Sequence, residues 1–378
     1  MAADIAARYL PRLQQRSAEY HCAGRRGSAG DGGAQSGTMA IAMDLPLVTI
    51  SAPDELFSSF FTPKLRRRLS SLCRWRRSKD RKVTPGLLKL LRDSEALITT
   101  WDTPFQDADL TEIAPRLRII SHCGGEVKRH FERSLFERLT ITNAALPMAR
   151  ATAEMGATYL LYCARNVDHY RAEMRKKSNR IYARLHAGGI GRESLLGREV
   201  SMLGFGRIGR ALVDFVRGFD VRWRVYDPYA PRDLANQYPV RFAPLNSVLK
   251  NAELLVITAA LTDETRGLLN QERLALMPDG GTVINIARGG IVDLKALTRE
   301  VKRGRLRCAL DVTDPDEPLP VSHPLRACPG AIVTPHIAAA QEQVRHAIAE
   351  TVVDDLERFF RNEPVRNPLT VAMLDRMT

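Results

Sequence analysis

A histidine and an arginine each follow an apolar run of this 378-residue chain, and their side chains suit proton transfer and anion binding. His336 comes after "AIVTP", and imidazole, which titrates near neutral pH, can exchange a proton with a carbonyl or hydroxyl oxygen. Arg288 comes after "TVINIA", and its planar guanidinium can hold a carboxylate through two parallel hydrogen bonds. If both runs are parallel strands, the two side chains emerge at the edge where such sheets bind ligands. A surface arginine and a structural histidine are the alternatives.

An acidic stretch lies between these two residues in the chain. "DVTDPDEPLP", residues 311–320, contains four carboxylates and follows the strand-like run "LRCAL". Acidic stretches that are broken by prolines are usually solvated loops. A carboxylate directly after a buried strand can instead orient a proton-transferring imidazole, so both interpretations stay open from the residues alone.

A glycine-rich turn indicates a dinucleotide site. In "VSMLGFGRIGRALVDFV", Gly204, Gly206 and Gly209 have the G-x-G-x-x-G spacing, after an apolar strand and before an amphipathic helix. The first glycine allows a tight turn, the second lets the backbone approach a pyrophosphate, and the third allows close helix–strand packing. The helix N-terminus, with Arg207 and Ile208 in its first turn, offers N–H groups and partial positive charge to phosphates. A glycine turn that binds nothing is the alternative.

The end of the next strand predicts which dinucleotide binds. "RWRVYD" ends at Asp227, 18 residues after Gly209. A carboxylate there can accept hydrogen bonds from both adenosine-ribose hydroxyls and repels a 2′-phosphate, which favours NAD over NADP. Arg232 is close in sequence and would weaken this preference.

Composition narrows the class of protein. An apolar fraction of 44% in 378 residues can fill the cores of two domains. No apolar run approaches the roughly 18 residues that span a bilayer, and the N-terminus has no signal-peptide pattern. The six cysteines are scattered without metal-ligand spacing, so we expect reduced thiols, no metal site and a cytoplasmic location.

The net charge of +13 is concentrated near the N-terminus. Residues 1–100 contain 17 Lys and Arg against 9 Asp and Glu, many of the basic ones in "KLRRRLSSLCRWRRSKDRK", residues 64–82. Arginines around Trp75 could bind phosphates and stack on bases. We favour a solvated helix face and loop that steers anionic ligands, because no recognised nucleic-acid module surrounds the run. Nucleic acid is therefore not an expected partner.

Alternating strand-like and helix-like stretches predict an α/β fold with two domains. We predict a disordered tail over residues 1–45. A flavodoxin-like α/β substrate domain is expected over 46–150 plus 338–378, with strands "PLVTIS", "EALITTW", "LRIISHCGG" and "LTITNAA". A Rossmann-type, doubly wound parallel sheet for the cofactor is expected over 151–337. That range includes a long linking helix, "MARATAEMGATYLLYCARNVDHYRAEMRKK", and six strands.

Four fragments in this order resemble the NAD-dependent family of D-isomer-specific 2-hydroxyacid dehydrogenases. They are the glycine loop, "INIARGGIVD", "ALDVTDPDEPLP" and "IVTPHIAAA", and the resemblance covers roughly residues 90–370. It implies a split substrate domain, an inserted cofactor domain and a homodimer. It also implies NAD as the cofactor and a small 2-keto or 2-hydroxy acid as the substrate.

The same resemblance implies roles for particular residues. In "HCGGEVK", the backbone N–H groups of Gly124 and Gly125 would hold the substrate carboxylate. The nicotinamide end of the cofactor site would be lined by three residues: Thr258, Ala287 and Asp311.

The family's histidine-orienting glutamate normally falls five residues after the "LDV" aspartate, where this chain has Asp316, with Glu317 one residue later. We favour Glu317, with a one-residue insertion in the loop, and keep Asp316 as the alternative.

The expected function is an NAD-dependent oxidoreductase that transfers hydride between nicotinamide and a small 2-keto or D-2-hydroxy acid. Arg288 would anchor the substrate, His336 would transfer the proton and Glu317 would orient His336. The first alternative is an NAD-sensing regulatory or corepressor-like binding protein, for which the basic run would serve a partner. A narrower alternative is a phosphoglycerate-type dehydrogenase.

Overall fold

The computed structural model describes residues 45–103, 110–128, 130–176, 179–188 and 193–375, which form two parallel β-sheets flanked by helices. The predicted two-domain α/β fold class is confirmed. The tail predicted over residues 1–45 lies outside the described residues, except for its last position.

The first sheet has five strands in the order β2-β1-β3-β4-β5, all parallel, which is the flavodoxin-like order. Its strands are β1 Leu47–Ser51, β2 Arg74–Ser78, β3 Ala96–Thr99, β4 Ile119–His122 and β5 Thr140–Asn143. Four of them fall in the predicted runs. Strand β2, "RWRRS", is an additional edge strand, and its arginines fit an exposed edge that charged residues protect from further pairing.

The second sheet has seven parallel strands in the order β12-β11-β10-β9-β6-β7-β8. They are β6 Glu199–Leu203, β7 Arg222–Tyr226, β8 Val240–Phe242, β9 Leu254–Ile257, β10 Thr282–Asn285, β11 Arg307–Leu310 and β12 Ala331–Val333. The order reverses between β6 and β9, the switch point where doubly wound sheets bind ligands. Sequence reasoning found six of these strands and missed β8, a three-residue edge strand.

The helices in the described ranges are α1 Asp54–Phe60, α2 Pro63–Leu72, α3 Pro85–Leu91, α4 Leu110–Ile113, α5 Leu135–Arg138, α6 Ala145–Ala164, α7 Val167–Met174, α8 Arg180–Gly188, α9 Arg207–Phe215, α10 Leu245–Lys250, α11 Gln271–Ala275, α12 Leu294–Lys302, α13 Glu342–Phe360 and α14 Val371–Leu374. Several begin at sequence signals. Asp293 caps α12 by accepting the Ala296 N–H at 2.9 Å. None of these helices is both long and apolar enough to cross a bilayer.

The predicted linking helix is wrong in its length. Helix α6 ends at Ala164, and α7 begins at Val167 after Asn166, whose φ of 47° is left-handed. Asparagine tolerates this conformation better than most residues, so it can break a helix without glycine or proline. Helix α6 runs from the cavity described below into the core of the second sheet, where Tyr159 and Leu160 are buried.

The long helix α13 packs on the first sheet. Its residues Ile348 and Val352 are fully or almost fully buried in one cluster with Val48 and Ile50 of β1. Each such buried aliphatic side chain stabilises the fold by about 1.5–3 kcal/mol relative to its exposed state. The chain therefore returns to the first sheet after it has completed the second.

Much of the basic run 64–82 takes part in packing and ion pairs. The guanidinium carbons of Arg66 and Arg77 lie 4.7 and 4.4 Å from the centroid of the Phe57 ring. Arg68 pairs with Asp354 of α13 at 2.7 Å. The predicted helix face is present in helix α2 and residues 79–82 form a loop, but edge strand β2 lies between them and was not predicted. The ring contacts and the ion pair connect the run to helices α1 and α13.

Candidate active site

The carboxyl-terminal ends of strands from both sheets open onto one cavity of about 1170 Å³. This volume exceeds the roughly 300–1,000 Å³ of a typical small-molecule pocket, so it can accept a dinucleotide together with a small substrate. Residues at or after the ends of strands line it: Trp101, His122 and Gly125 from the first sheet, and Gly204, Thr258, Ala287, Arg288 and His336 from the second.

The glycine loop has the geometry that a dinucleotide requires. Gly204 has a φ of 87°, and a Cβ there would lie 2.5 Å from the Ala259 Cα, so only glycine fits. A Cβ on Gly209 would approach Met202, Gly204 and Thr258 to 3.0 Å, which explains the third glycine.

Around Gly206 the space is open. Among the residues that the structure describes, no heavy atom from a non-neighbouring residue lies within 4 Å of a Cβ built there, and no side chain caps helix α9, which begins at Arg207. The first N–H groups of α9 therefore face space that a pyrophosphate can occupy. Arg207 and Ile208 line the cavity at this end, as their positions in the helix predict.

Asp227 joins the glycine loop to the turn after β7. One carboxylate oxygen accepts the Phe205 N–H at 2.6 Å, and the other accepts the N–H groups of Tyr229 at 2.8 Å and Ala230 at 2.9 Å. These bonds fix the carboxylate at the end of the cavity next to the glycine loop. Arg232 places its guanidinium 4.7 Å from the centroid of the Phe242 ring, so it is held by a cation–π contact.

His336 and Glu317 form the central pair of the site. His336 Nδ1 lies 2.9 Å from Glu317 Oε2, and Glu317 Oε1 accepts the Thr313 N–H at 3.2 Å. Partial burial raises the pKa of Glu317, but its hydrogen bond to His336, the attraction of that ring, the Thr313 N–H and the charge of Arg288 together hold it below its usual range. Asp316 contributes its backbone carbonyl to the Thr313 hydroxyl at 2.5 Å. Glu317 is thus the carboxylate that reaches the ring.

Asp311 is buried beside the turn that carries His336. Its side chain is 1% exposed, and its predicted place near the nicotinamide stays a prediction. The carboxylate accepts the N–H groups of Ile337 and Ala338, each at 2.9 Å, while its backbone carbonyl accepts the His336 N–H at 2.8 Å. His336 itself has a left-handed φ of 54°. Asp311 therefore holds the turn that presents His336, because three successive N–H groups converge on it.

Arg288 emerges from a turn that the buried side chain of Asn285 braces. Asn285 accepts the Ala287 N–H at 3.0 Å and donates to the Arg288 carbonyl at 2.9 Å. A Cβ on Gly289 would lie 2.1 Å from the Thr313 carbonyl carbon, so this glycine lets the turn that carries Arg288 pack directly on the acidic stretch 311–320. Arg288 and Glu317 are in this way fixed relative to each other.

The two glycines of the substrate-side loop differ from each other. Gly125 lines the cavity, but the Gly124 N–H donates to the His122 carbonyl at 2.8 Å, so it is already used in a tight turn. The predicted use of both N–H groups on a substrate is corrected to Gly125. Gly124 is required for space, since a Cβ there would lie 2.4 Å from His122 Nε2. Burial raises the pKa of the neighbouring Cys123 thiol well above its usual range, so Cys123 is not a nucleophile.

His122 is a buried histidine on the cavity wall. Its Nδ1 lies 2.9 Å from the Thr99 hydroxyl, and its ring centroid is 4.8 Å from that of His130. Burial lowers its pKa to about 3, helped by His130, so the ring is neutral at ordinary pH.

Sequence reasoning missed four residues that support or line the site: Trp101, Asn285, Thr334 and Tyr159. Asn285 did carry a signal, because a polar residue inside a buried strand needs a hydrogen-bond partner. Thr334 lies in a motif fragment, two residues before His336, but nothing in the sequence pairs it with Tyr159, and no motif marks Trp101 or Tyr159.

The fold and the site define an oxidoreductase of the doubly wound class that binds a nicotinamide dinucleotide. The model of the D-isomer specific 2-hydroxyacid dehydrogenase NAD-binding domain matches residues 157–338. The chain is 32% identical over 284 residues to a glyoxylate reductase from Pyrococcus furiosus, which covers 73% of this chain and 82% of that protein. It therefore belongs to the D-isomer specific 2-hydroxyacid dehydrogenase family, as the motifs predicted, and its cofactor is NAD.

Two other similar proteins are also named as oxidoreductases of hydroxy acids. A D-3-phosphoglycerate dehydrogenase from Methanocaldococcus jannaschii is 30% identical over 284 residues, which cover 74% of this chain but only 52% of that protein. The chain thus spans about half the length of that relative. The solved structure of a phosphoglycerate oxidoreductase from Rhizobium etli, 27% identical, superposes with a TM-score of 0.66 over 86% of this chain and 98% of that one.

Proposed function

We propose that this chain reduces a small 2-keto acid to the D-2-hydroxy acid with NADH, or catalyses the reverse oxidation. One observation carries the proposal: the hydrogen-bonded pair of His336 and Glu317, 2.9 Å apart, beside Arg288 on the cavity that the glycine loop also lines. Family membership supports a dehydrogenase over the regulatory alternative, because the similar proteins are named as reductases and dehydrogenases.

His336 transfers the proton. Ionised Glu317 can only accept hydrogen bonds, so His336 Nδ1 carries a hydrogen toward it and Nε2 is the atom that exchanges a proton with the substrate oxygen. In the reductive direction, the Nε2–H of the imidazolium is given to the ketone oxygen. In the oxidative direction, neutral Nε2 takes the hydroxyl proton. The Glu317 carboxylate holds the ring through Nδ1 in both directions.

Arg288 holds the substrate carboxylate through its guanidinium, and the Gly125 N–H completes that contact. When bound against the glycine loop of the second sheet, NADH would supply the hydride for reduction and NAD⁺ would accept it in the reverse oxidation. Thr258 and Ala287 line the cavity between these groups. The positive charge of Arg288 also polarises a carbonyl oxygen close to the carboxylate, which favours the negative charge that develops on that oxygen during reduction.

A phosphoglycerate-type substrate is the second candidate. The similarity to a D-3-phosphoglycerate dehydrogenase favours it, and Lys128 on the cavity wall offers a cation for a phosphate. Saturation by 3-phosphoglycerate in the oxidative direction, together with weak activity on unphosphorylated acids, would establish it. Loss of this activity on Lys128→Ala, with glyoxylate turnover kept, would assign the contact.

The remaining expectations are proposals of the same kind. We expect a substrate domain over 46–150 plus 338–378, a cofactor domain over 151–337, a homodimer and a cytoplasmic location. Nucleic acid is not expected to bind, because Arg66, Arg68 and Arg77 of the basic run are engaged with Phe57 and Asp354.

Two substitutions test the proposed roles. Arg288→Ala and His336→Ala should each abolish most NADH-dependent turnover of small keto acids while NADH still binds, as measured by fluorescence titration. The matched controls are Arg299→Ala, whose guanidinium bonds Gln271 at 2.7 Å, and His346→Ala on helix α13. Near-normal turnover in either site variant would refute its assignment.

A further inference from the structure

A tyrosine of helix α6 is hydrogen-bonded to the segment that presents His336. Tyr159 is 4% exposed, and its hydroxyl oxygen lies 2.6 Å from Thr334 Oγ1. Thr334 stands two residues before His336, directly after strand β12. Its hydroxyl donates to Asp311 Oδ1, the carboxylate that also accepts the Ile337 N–H.

The direction of these hydrogen bonds follows from the hydrogens available. Threonine has one hydroxyl hydrogen, and Thr334 gives it to Asp311. Thr334 Oγ1 can therefore only accept from Tyr159, whose hydroxyl is the donor. A directed chain results, from Tyr159 through Thr334 to Asp311.

Asp311 is the point at which this chain meets the catalytic turn. Its carboxylate holds the N–H groups of Ile337 and Ala338, and these residues directly follow His336. His336 has a left-handed φ of 54°, which non-glycine residues adopt only when the surroundings enforce it. The orientation of the ring toward Glu317 thus depends on how firmly Asp311 is held.

We propose that Tyr159 is a positioning residue for the reaction, and that it acts on His336 only through Thr334 and Asp311. The inference rests on the proposed role of His336. Helix α6 also lines the cavity through Met148, Ala149 and Thr152. The tyrosine therefore ties the helix that forms one wall of the site to the turn that carries the proton-transferring group.

A double-mutant cycle separates positioning from simple packing. Tyr159→Phe removes only the donor, and we expect kcat to fall about two- to five-fold, the effect of one neutral hydrogen bond, with KM for NADH unchanged. Thr334→Val should lower kcat further, and the Tyr159→Phe/Thr334→Val double variant should match Thr334→Val alone. In a Thr334→Ser background, which keeps the hydroxyl, Tyr159→Phe should have its full effect.

A second readout does not require turnover. Amide hydrogen exchange in the segment 334–340 should become faster in Tyr159→Phe, because the Asp311 carboxylate is held less firmly. The matched control is Tyr162→Phe on the same helix, whose hydroxyl bonds Asp168 at 2.7 Å, and which should leave both kcat and this exchange unchanged.

The outcomes are distinct. The positioning role would be refuted if the losses of kcat in the two single variants added in the double variant. It would also be refuted if Tyr159→Phe had wild-type kcat and wild-type hydrogen exchange. Either result would leave the proposed function intact. A wild-type protein that turns over no keto acid would refute the proposed function. Hydrogen exchange alone would then show whether Tyr159 holds the segment that carries His336.

Discussion

The buried His122 makes a quantitative prediction about stability against pH. Burial, together with the neighbouring His130, lowers its pKa in the folded protein to about 3, whereas an unfolded histidine titrates near 6.5. The folded-state pKa is depressed, so the unfolded state binds more protons between these two values. The free energy of unfolding must therefore decrease as the pH falls from about 6.5 toward about 3.

The size of the effect follows from the linkage relation. At pH 7 an unfolded histidine is mostly neutral, and this single group contributes almost nothing. At pH 5 the unfolded side chain is almost fully protonated while His122 in the folded chain is still neutral, which lowers the free energy of unfolding by about 2 kcal/mol.

Urea unfolding at pH 7 and pH 5 measures this directly, on the wild type and on His122→Gln. The glutamine variant is less stable at pH 7. Between pH 7 and pH 5, its free energy of unfolding should decrease by about 2 kcal/mol less than that of the wild type. The control is His186→Gln, an exposed ring that stacks on Tyr182, which should lose as much as the wild type. Equal losses in the wild type and in His122→Gln would refute the reasoning.

Three further predictions concern the site. Glu317→Gln keeps a hydrogen-bond acceptor for His336 but removes the charge, so kcat/KM for reduction should fall by about tenfold or more; an unchanged kcat/KM would contradict this. Gly204→Ala places a Cβ 2.5 Å from the Ala259 Cα and should weaken NADH binding at least about tenfold in a fluorescence titration, whereas Gly218→Ala, with open space around its Cβ, should not. Asp227→Ala should lower the ratio of kcat/KM for NADH to that for NADPH about tenfold, and an unchanged ratio would show that Asp227 does not select the cofactor.

The sequence predicts the fold well where local pattern and tertiary environment agree. The buried parallel strands are short apolar runs, and the glycine loop stands between a strand and a helix, so both are visible in the residues alone. Strand β2 is rich in arginine, which its position at a sheet edge tolerates. Strand β8 has only three residues. Neither has the apolar run on which strand prediction depends.

The sequence identifies candidate residues for the site, but it identifies their hydrogen-bond partners less well. Motif spacing gives Arg288, Glu317 and His336, yet the choice between Asp316 and Glu317 depends on how the loop folds around Thr313. The hydrogen bonds of Asp311 and Gly124 are not visible in the sequence for a related reason. Their hydrogen-bond partners lie in other turns, and a linear motif carries no information about which groups those turns have already satisfied.

One measurement tests the central claim most directly. The wild-type protein is assayed by cofactor absorbance on glyoxylate, hydroxypyruvate, pyruvate and bulkier 2-keto acids, with NADH and with NADPH, and chiral products are resolved by enantiomer. We predict oxidation of NADH with at least one of these acids, little oxidation of NADPH, formation of the D-2-hydroxy acid, and loss of the reaction in His336→Ala. No turnover of any acid, an L product, or a His336→Ala variant that is as active as the wild type would contradict the account.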